Sequence, residues 1–162
     1  MSSQYERDYE SLRLICFRLE STLYAIEIKK IKEIITIPEI RHIPGTPFYV
    51  EGVFSLRSEI IPVVDLRKLM AIQPVPKSTE KVIIYEVQGH EIGFIVDEVA
   101  QVIQIEKKHI LPPPAVVMRG LDPQCIQGVL ELGSENGIIF SLEKILSQKE
   151  ASKIADLAQA HA

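Results

Sequence analysis

Tryptophan is absent from these 162 residues, and Phe and Tyr contribute only five each. With so few rings there is little on which nucleic-acid bases could stack. A basic excess is missing too: 18 Lys and Arg stand against 22 Asp and Glu, a net charge of −4. Binding to a phosphate backbone draws on many cations gathered on one face, so no nucleic-acid partner is expected. Glycine is scarce, at eight. Neither a GxGxxG fingerprint nor a P-loop occurs, so no phosphate cradle is expected. Cys16 and Cys125 lie 109 positions apart and form neither a CxxC pair nor a zinc knuckle. No apolar run approaches the ~20 residues needed to cross a bilayer. The stretch Met1 to Glu10 is polar, without a signal core, and lipidation signals are lacking. These absences predict a soluble cytoplasmic protein without direct membrane insertion.

Enzyme chemistry is equally thin. The histidines, His42, His90, His109 and His161, make no HExxH and no pair four apart, and no GxSxG elbow occurs. Asp65 and Asp97, each after a pair of aliphatics, could be read as paired general acid and base. Asp65 has a better reading as a helix N-cap, and Asp97 sits where a strand run ends. No catalytic residue, cofactor or metal ligand is expected.

What the chain does hold is Ile and Val: 24 and 13 residues, together 37 of 162. Such β-branched side chains favour strands. The chain also repeats itself. Residues 24–44 align with 92–112 at an offset of 68, so that Ile26 falls on Phe94, Ile28 on Val96, Ile31 on Val99, Ile34 on Val102 and Pro44 on Pro112. Residues 52–69 align with 128–145 at an offset of 76, pairing Gly52-Val53 with Gly128-Val129 and Asp65 with Ser141. The extra residues fall in the Pro-rich stretch 112–127.

Each half reads as the same small unit. The expected subdomains are a first barrel over 12–70 and a second over 81–148. A polar tail covers 1–11, and a C-terminal helical segment covers 149–162, with a break near Gln148 to Glu150. Alternation at Leu12-Leu14-Cys16 and Tyr24-Ile26-Ile28 marks strands, with Ile28 and Val96 expected inside their barrels. Glu20-Ser21, Gln88-Gly89 and Arg57-Ser58 mark hairpin turns. About five strands per half cannot bury both faces of an open sheet, so closure into two packed barrels is expected. The fold class is all-β with short helices: two intertwined five-stranded barrels sharing a hydrophobic core, plus a C-terminal helix.

Three features exceed a bare scaffold. Glu33 lies within the strand Ile31–Ile35, and Arg57 occupies a hairpin tip. Ile34-Ile35 and Ile83-Ile84 are consecutive, so one of each pair should point away from its own barrel. Apolar positions beside a fixed charge pair suggest a partner interface.

These residues resemble a known family. GVFSLRSEIIPVVDLR, residues 52–67, resembles the signature GVxNLRGxIIPVIDLR of CheW-like coupling proteins of bacterial chemotaxis. IKKIKEII (28–35) resembles the family's I-x-x-V-x-E-I-I, and EIGFIVDEVAQVI (91–103) its x-x-G-L-x-V-D-x-V-x-x-V. The resemblance runs from about Leu12 to Leu146. It implies two SH3-like barrels and a non-catalytic adaptor. Such an adaptor links the regulatory domain of a CheA-type histidine kinase to the cytoplasmic tips of methyl-accepting chemoreceptors, and is recruited through these partners to membrane-associated arrays.

Carried over by position, the resemblance implies kinase contacts at Ile31, Glu33 and Arg57. It implies a receptor groove between the barrels at Val82, Ile83, Gly93 and Val102, and, in the rings that alternating adaptor and kinase domains form, a second ring contact in Pro113 to Val117. Two departures stand out: Ser55 and Ser58 replace the family's Asn and Gly. Ser tolerates a positive φ poorly, so the hairpin presenting Arg57 is expected to adopt another turn. The alternatives are a divergent coupler for pilus-based motility, a small-barrel nucleic-acid binder, which the charge disfavours, and an enzyme using Asp65 and Asp97.

Overall fold

A computed structural model describes residues 10–113 and 123–160. In chain order the strands are β1 (Ser11–Leu19), β2 (Thr22–Glu27), β3 (Ile31–Thr36), β4 (Val50–Leu56) and β5 (Glu59–Asp65), followed by the single-turn helix α1 (Leu66–Leu69). The second half supplies β6 (Lys81–Val87), β7 (His90–Val96), β8 (Glu98–Glu106), β9 (Ile126–Leu132) and β10 (Glu135–Phe140). It ends in α2 (Leu142–Ile145) and α3 (Gln148–Ala160). The helical break therefore falls at Leu146-Ser147, where the Ser147 hydroxyl accepts from the Glu150 N–H at 3.1 Å and starts α3.

The strands form two five-stranded sheets, ordered β8-β1-β2-β10-β9 and β3-β6-β7-β5-β4. The two orders are the same once each strand is replaced by its repeat equivalent. The registers agree as well. Cys16 pairs with Ala25 as Ile84 pairs with Gly93, and the parallel pair Ile139–Ala25 matches Val63–Gly93. Even the β-bulges coincide: Cys16 and Phe17 pair with Gln101 and Val99, as Ile84 and Tyr85 pair with Glu33 and Ile31.

The contiguous boundaries 12–70 and 81–148 do not describe the barrels. One sheet takes β1–β2 from the first half and β8–β10 from the second; the other takes β3–β5 and β6–β7. A repeat reveals which segments are alike but not which copy each one pairs with. The chain crosses between sheets at residues 28–30 and again at Asp97.

Each barrel is sealed by a strap crossing its edge strand. Arg41 exchanges backbone hydrogen bonds with Val53 at 2.8 and 3.0 Å, and Leu111 with Val129 at 2.8 and 2.9 Å. This explains the repeated Gly-Val pairs. A Cβ on Gly52 would strike the Arg41 carbonyl, and one on Gly128 would lie 2.8 Å from the Leu111 carbonyl oxygen. Arg41 and Leu111 are equivalent here, so the straps have slipped by two positions and Pro44 is not the counterpart of Pro112.

Three apolar layers result. Leu14, Cys16, Leu23, Ala25, Leu130 and Ile139 fill one barrel, and Phe54, Ile61, Val63, Val82, Ile84 and Ile95 fill the other. Between the sheets lies a larger shared core with Ile15, Phe17, Tyr24, Ile26, Ile83, Phe94, Val96 and Phe140. Strand β1 is an interior strand of its sheet and is buried on both faces over residues 14–17, so its side chains there alternate between barrel and shared core. Ile26 and Phe94 are equivalent and buried. Ile28 is not core: β2 ends at Glu27, and Ile28 opens a 3-10 turn where it is half-buried. Val96 lies in the shared core, not inside a barrel.

Candidate functional site

The most buried charges are Asp65, Arg67 and Asp97. Asp65 ends β5, and its carboxylate accepts from the Arg67 N–H at 3.0 Å, capping α1. It also takes the Arg67 guanidinium at 3.0 and 3.1 Å. Arg67 Nη1 donates to Asp97 at 2.7 Å and pairs with Glu80 at 2.6 Å. Asp97 further accepts from the Glu20 N–H at 2.6 Å and from Lys77 Nζ at 2.8 Å. Its backbone carbonyl accepts from the Thr79 hydroxyl at 2.7 Å.

Burial opposes the charge on Arg67, but the surrounding carboxylates outweigh it and hold the pKa above the usual range. Burial likewise works against ionised Asp97, yet Lys77, the Glu20 N–H and Arg67 hold its carboxyl below the ordinary range. Both carboxylates are engaged inside a closed network. They hold the linker 71–80 and two sheets together and present nothing to a substrate.

Glu33 and Arg57 are brought together as the sequence suggests. The pair Leu56–Glu59 closes the β4–β5 hairpin, and both residues between are left-handed, Arg57 at φ 50° and Ser58 at φ 69°. This is the primed turn whose twist suits a hairpin, so Ser58 does not force another turn. The repeat places Gly133, at φ 61°, where Arg57 stands. A side chain in this region costs on the order of 1–2 kcal/mol, which Arg57 bears and Gly133 avoids. Arg57 Nη2 donates to Glu33 Oε1 at 2.5 Å. Glu33 sits on edge strand β3 and Arg57 beside edge strand β4, so the pair spans the barrel seam. The Arg57 side chain is 74% exposed.

Ile31 is not beside Glu33 on one face. The bulge at Lys32 pairs Ile31 with Tyr85, a shared-core residue, and Glu33 with Ile84, a barrel-interior residue. The extra residue breaks the two-residue alternation, and Ile31 packs against the shared core. Three of the four groove positions are also closed to a partner. Val82 and Ile83 are 0% and 1% exposed. Gly93 is buried, and a Cβ there would lie 2.7 Å from Val82 Cγ1. Alternation alone could not show that β6 and β7 are covered on both faces. Val102, 50% exposed on β8, is open. Its repeat equivalent Ile34, 37% exposed on β3, is an apolar surface residue that the site reading missed. Ile35 packs into the barrel, so Ile34 is the one of that pair that turns outward.

The CheW-like domain family matches residues 13–150. The chain belongs to the CheW-like domain family. A chemotaxis protein CheW of Treponema pallidum is 35% identical over 153 residues, covering 91% of this chain and 89% of that protein. A chemotaxis protein CheW of Klebsiella aerogenes is 31% identical with the same coverage. The crystal structure of the scaffolding protein TtCheW from Thermoanaerobacter tengcongensis superposes with a TM-score of 0.75 at 33% identity, covering 84% of this chain and 88% of that one.

Several CheW-like signature residues now have physical roles. The Gly of the GV pair admits the strap, the Asp and Arg of DLR build the buried network, and the hairpin Arg reaches Glu33. The second ring contact falls largely outside the described residues: of Pro113 to Val117, Pro113 alone is described, and it is exposed. Among the described residues no cluster of three or more His, Cys, Asp and Glu could hold a metal. No helix among them is long and apolar enough to cross a membrane.

Proposed function

We propose that this CheW-like chain is a non-catalytic coupling adaptor, joining a CheA-type histidine kinase through its regulatory domain to the cytoplasmic tips of chemoreceptors. The observation that carries the reading is the Glu33–Arg57 pair. It is an ion pair across a barrel seam, with a partly buried glutamate and a solvent-facing, left-handed arginine, at the charged positions of the family's motifs. An exposed pair contributes only ~0–1 kcal/mol to stability. The same charges enclosed by a partner contribute more, and losing one costs ~2–5 kcal/mol of affinity. Receptor contact falls to Val102 and Ile34, the exposed apolar residues on equivalent strands flanking the shared core. Recruitment of the cytoplasmic protein to membrane arrays would follow from these contacts.

The test is titration of the full chain against the kinase regulatory domain, with a thermal melt of each sample. Glu33→Ala and Arg57→Ala should each weaken kinase binding more than tenfold, about 1.4 kcal/mol, with the melting temperature nearly unchanged. Unaltered binding, or a melt that collapses with it, would make the pair structural and remove the kinase surface from this seam. Whether the pathway drives flagella or pili is read from which kinase and receptor a pull-down recovers.

A further inference from the structure

The two crossovers between the sheets are equivalent in the repeat, but they are finished differently. At the crossover of Asp97, the buried network is covered by the linker 71–80, whose Lys77 pairs with Asp97 and whose Glu80 pairs with Arg67. Repeat equivalence places Lys29 where Asp97 stands and Glu143 where Arg67 stands, at the offsets of 68 and 76. The backbone agrees: Asp65 N–H donates to the Tyr49 carbonyl at 2.8 Å, as Ser141 N–H donates to that of Cys125 at 2.9 Å. At this second crossover the signs are inverted. The crossover residue Lys30, next to Lys29, pairs with Glu143 of α2.

The second crossover is also open. Its ion pair is 37% and 29% exposed, against 5% and 3% for Arg67 and Asp97. It borders a cavity of about 230 Å³ lined by Glu27, Lys29, Lys30, Tyr85, Glu143 and Lys144, among others. The first half covers its network with the segment that follows α1. The segment that follows α2 instead starts α3 at Ser147, which packs along β5 and β7 of the other sheet.

We propose that this cavity is a docking site for an extended polypeptide segment of a partner, seated as linker 71–80 is seated on the first crossover but with its charges inverted. In the linker, Lys77 faces the anionic crossover residue, and Glu80, three residues on, faces the cationic helix residue. A guest for the second crossover must therefore carry an acid facing Lys29 and Lys30 and, three residues later, a base facing Glu143. The pattern is Asp or Glu, two residues, then Lys or Arg, within an extended segment. This site is separate from the Glu33–Arg57 seam and does not depend on who binds there.

The probe is a synthetic decapeptide of residues 71–80 bearing Lys77→Glu and Glu80→Lys, titrated into the full chain and followed by NMR shifts of the Lys29–Lys30 amides. The expected result is binding at least tenfold tighter than the unaltered linker peptide and than a scrambled peptide of the same composition. In the double variant Lys30→Glu/Glu143→Lys, which exchanges a partly exposed pair and should keep its melt, the preference for the inverted linker peptide should be lost. Absence of binding by the inverted peptide, equal binding of the scrambled one, or a fully retained preference in a folded double variant would each overturn the proposal.

Discussion

Arg57 and Asp97 are both charged, and they behave as opposites. Arg57 lies in solvent at a backbone angle that glycine would occupy more easily. Asp97 lies 2% exposed and has every bond it needs. Removing Asp97 leaves Arg67 buried beside fewer anions, a change that commonly costs 3–5 kcal/mol. Its depressed pKa also fixes a pH dependence. A carboxyl lower in the folded than in the unfolded chain contributes stability above its unfolded value, near 3.8. That contribution fades as pH falls through the lower folded value. Denaturant melts from pH 7 downward should therefore show an acid-side loss that Asp97→Asn reduces, from an already lower baseline. An identical pH profile in the variant would mean that Asp97 is not ionised in the network. The sequence showed Asp65 as a cap and left Asp97 as a strand end. Nothing local could show that residues 67, 77, 80 and 97 meet.

Among the elements, strand placement was legible and strand facing was less so. Alternation located β1 and β2, and the offsets of 68 and 76 carried the hairpins across to the second half. Two-residue alternation would set Ile31 beside Glu33, but the bulge at Lys32 turns them apart, and an inserted residue carries no compositional mark there. Helix α3 is the element without a counterpart in the first half. It buries Ala151 and Ile154 in the shared core and sets Ala158 against Ile43, Val53 and Ile60. Tyr49 adds a hydrogen bond to Glu150 at 2.9 Å, and burial, with that carboxylate, pushes its hydroxyl up to about 12. Ile154→Ala should cost about 2–5 kcal/mol in a denaturant melt. A cost well under 1 kcal/mol would show that α3 does not dock in solution.

For the whole molecule, the exchange of strands decides how it can fold. Neither half holds a complete sheet: 1–75 lacks the strands flanking β1–β2, and 76–162 lacks those flanking β6–β7. A lone hairpin is at best marginally stable in water. Expressed separately, the halves should each fail to give a cooperative melt. Mixed, they should recover one together with the native circular dichroism. A cooperative transition in either half as a monomer would contradict the exchange. The sequence made the duplication visible, since it is a likeness between segments. It left the exchange hidden, since that is a choice between two equally similar partners.

Two copies of one half, each lending its first hairpin to the other's sheet, have the geometry of a swapped homodimer. Here residues 71–80 tie the two copies into one chain. A swapped homodimer must present every surface twice, and a substitution that suits one partner is imposed on both faces. The tie removes that constraint. Gly133 can keep its relaxed turn while Arg57 takes a strained one, and Arg67 with Asp97 can be sealed while Glu143 with Lys30 stays open. A molecule whose two ends are built alike is thus free to hold unlike neighbours at each end.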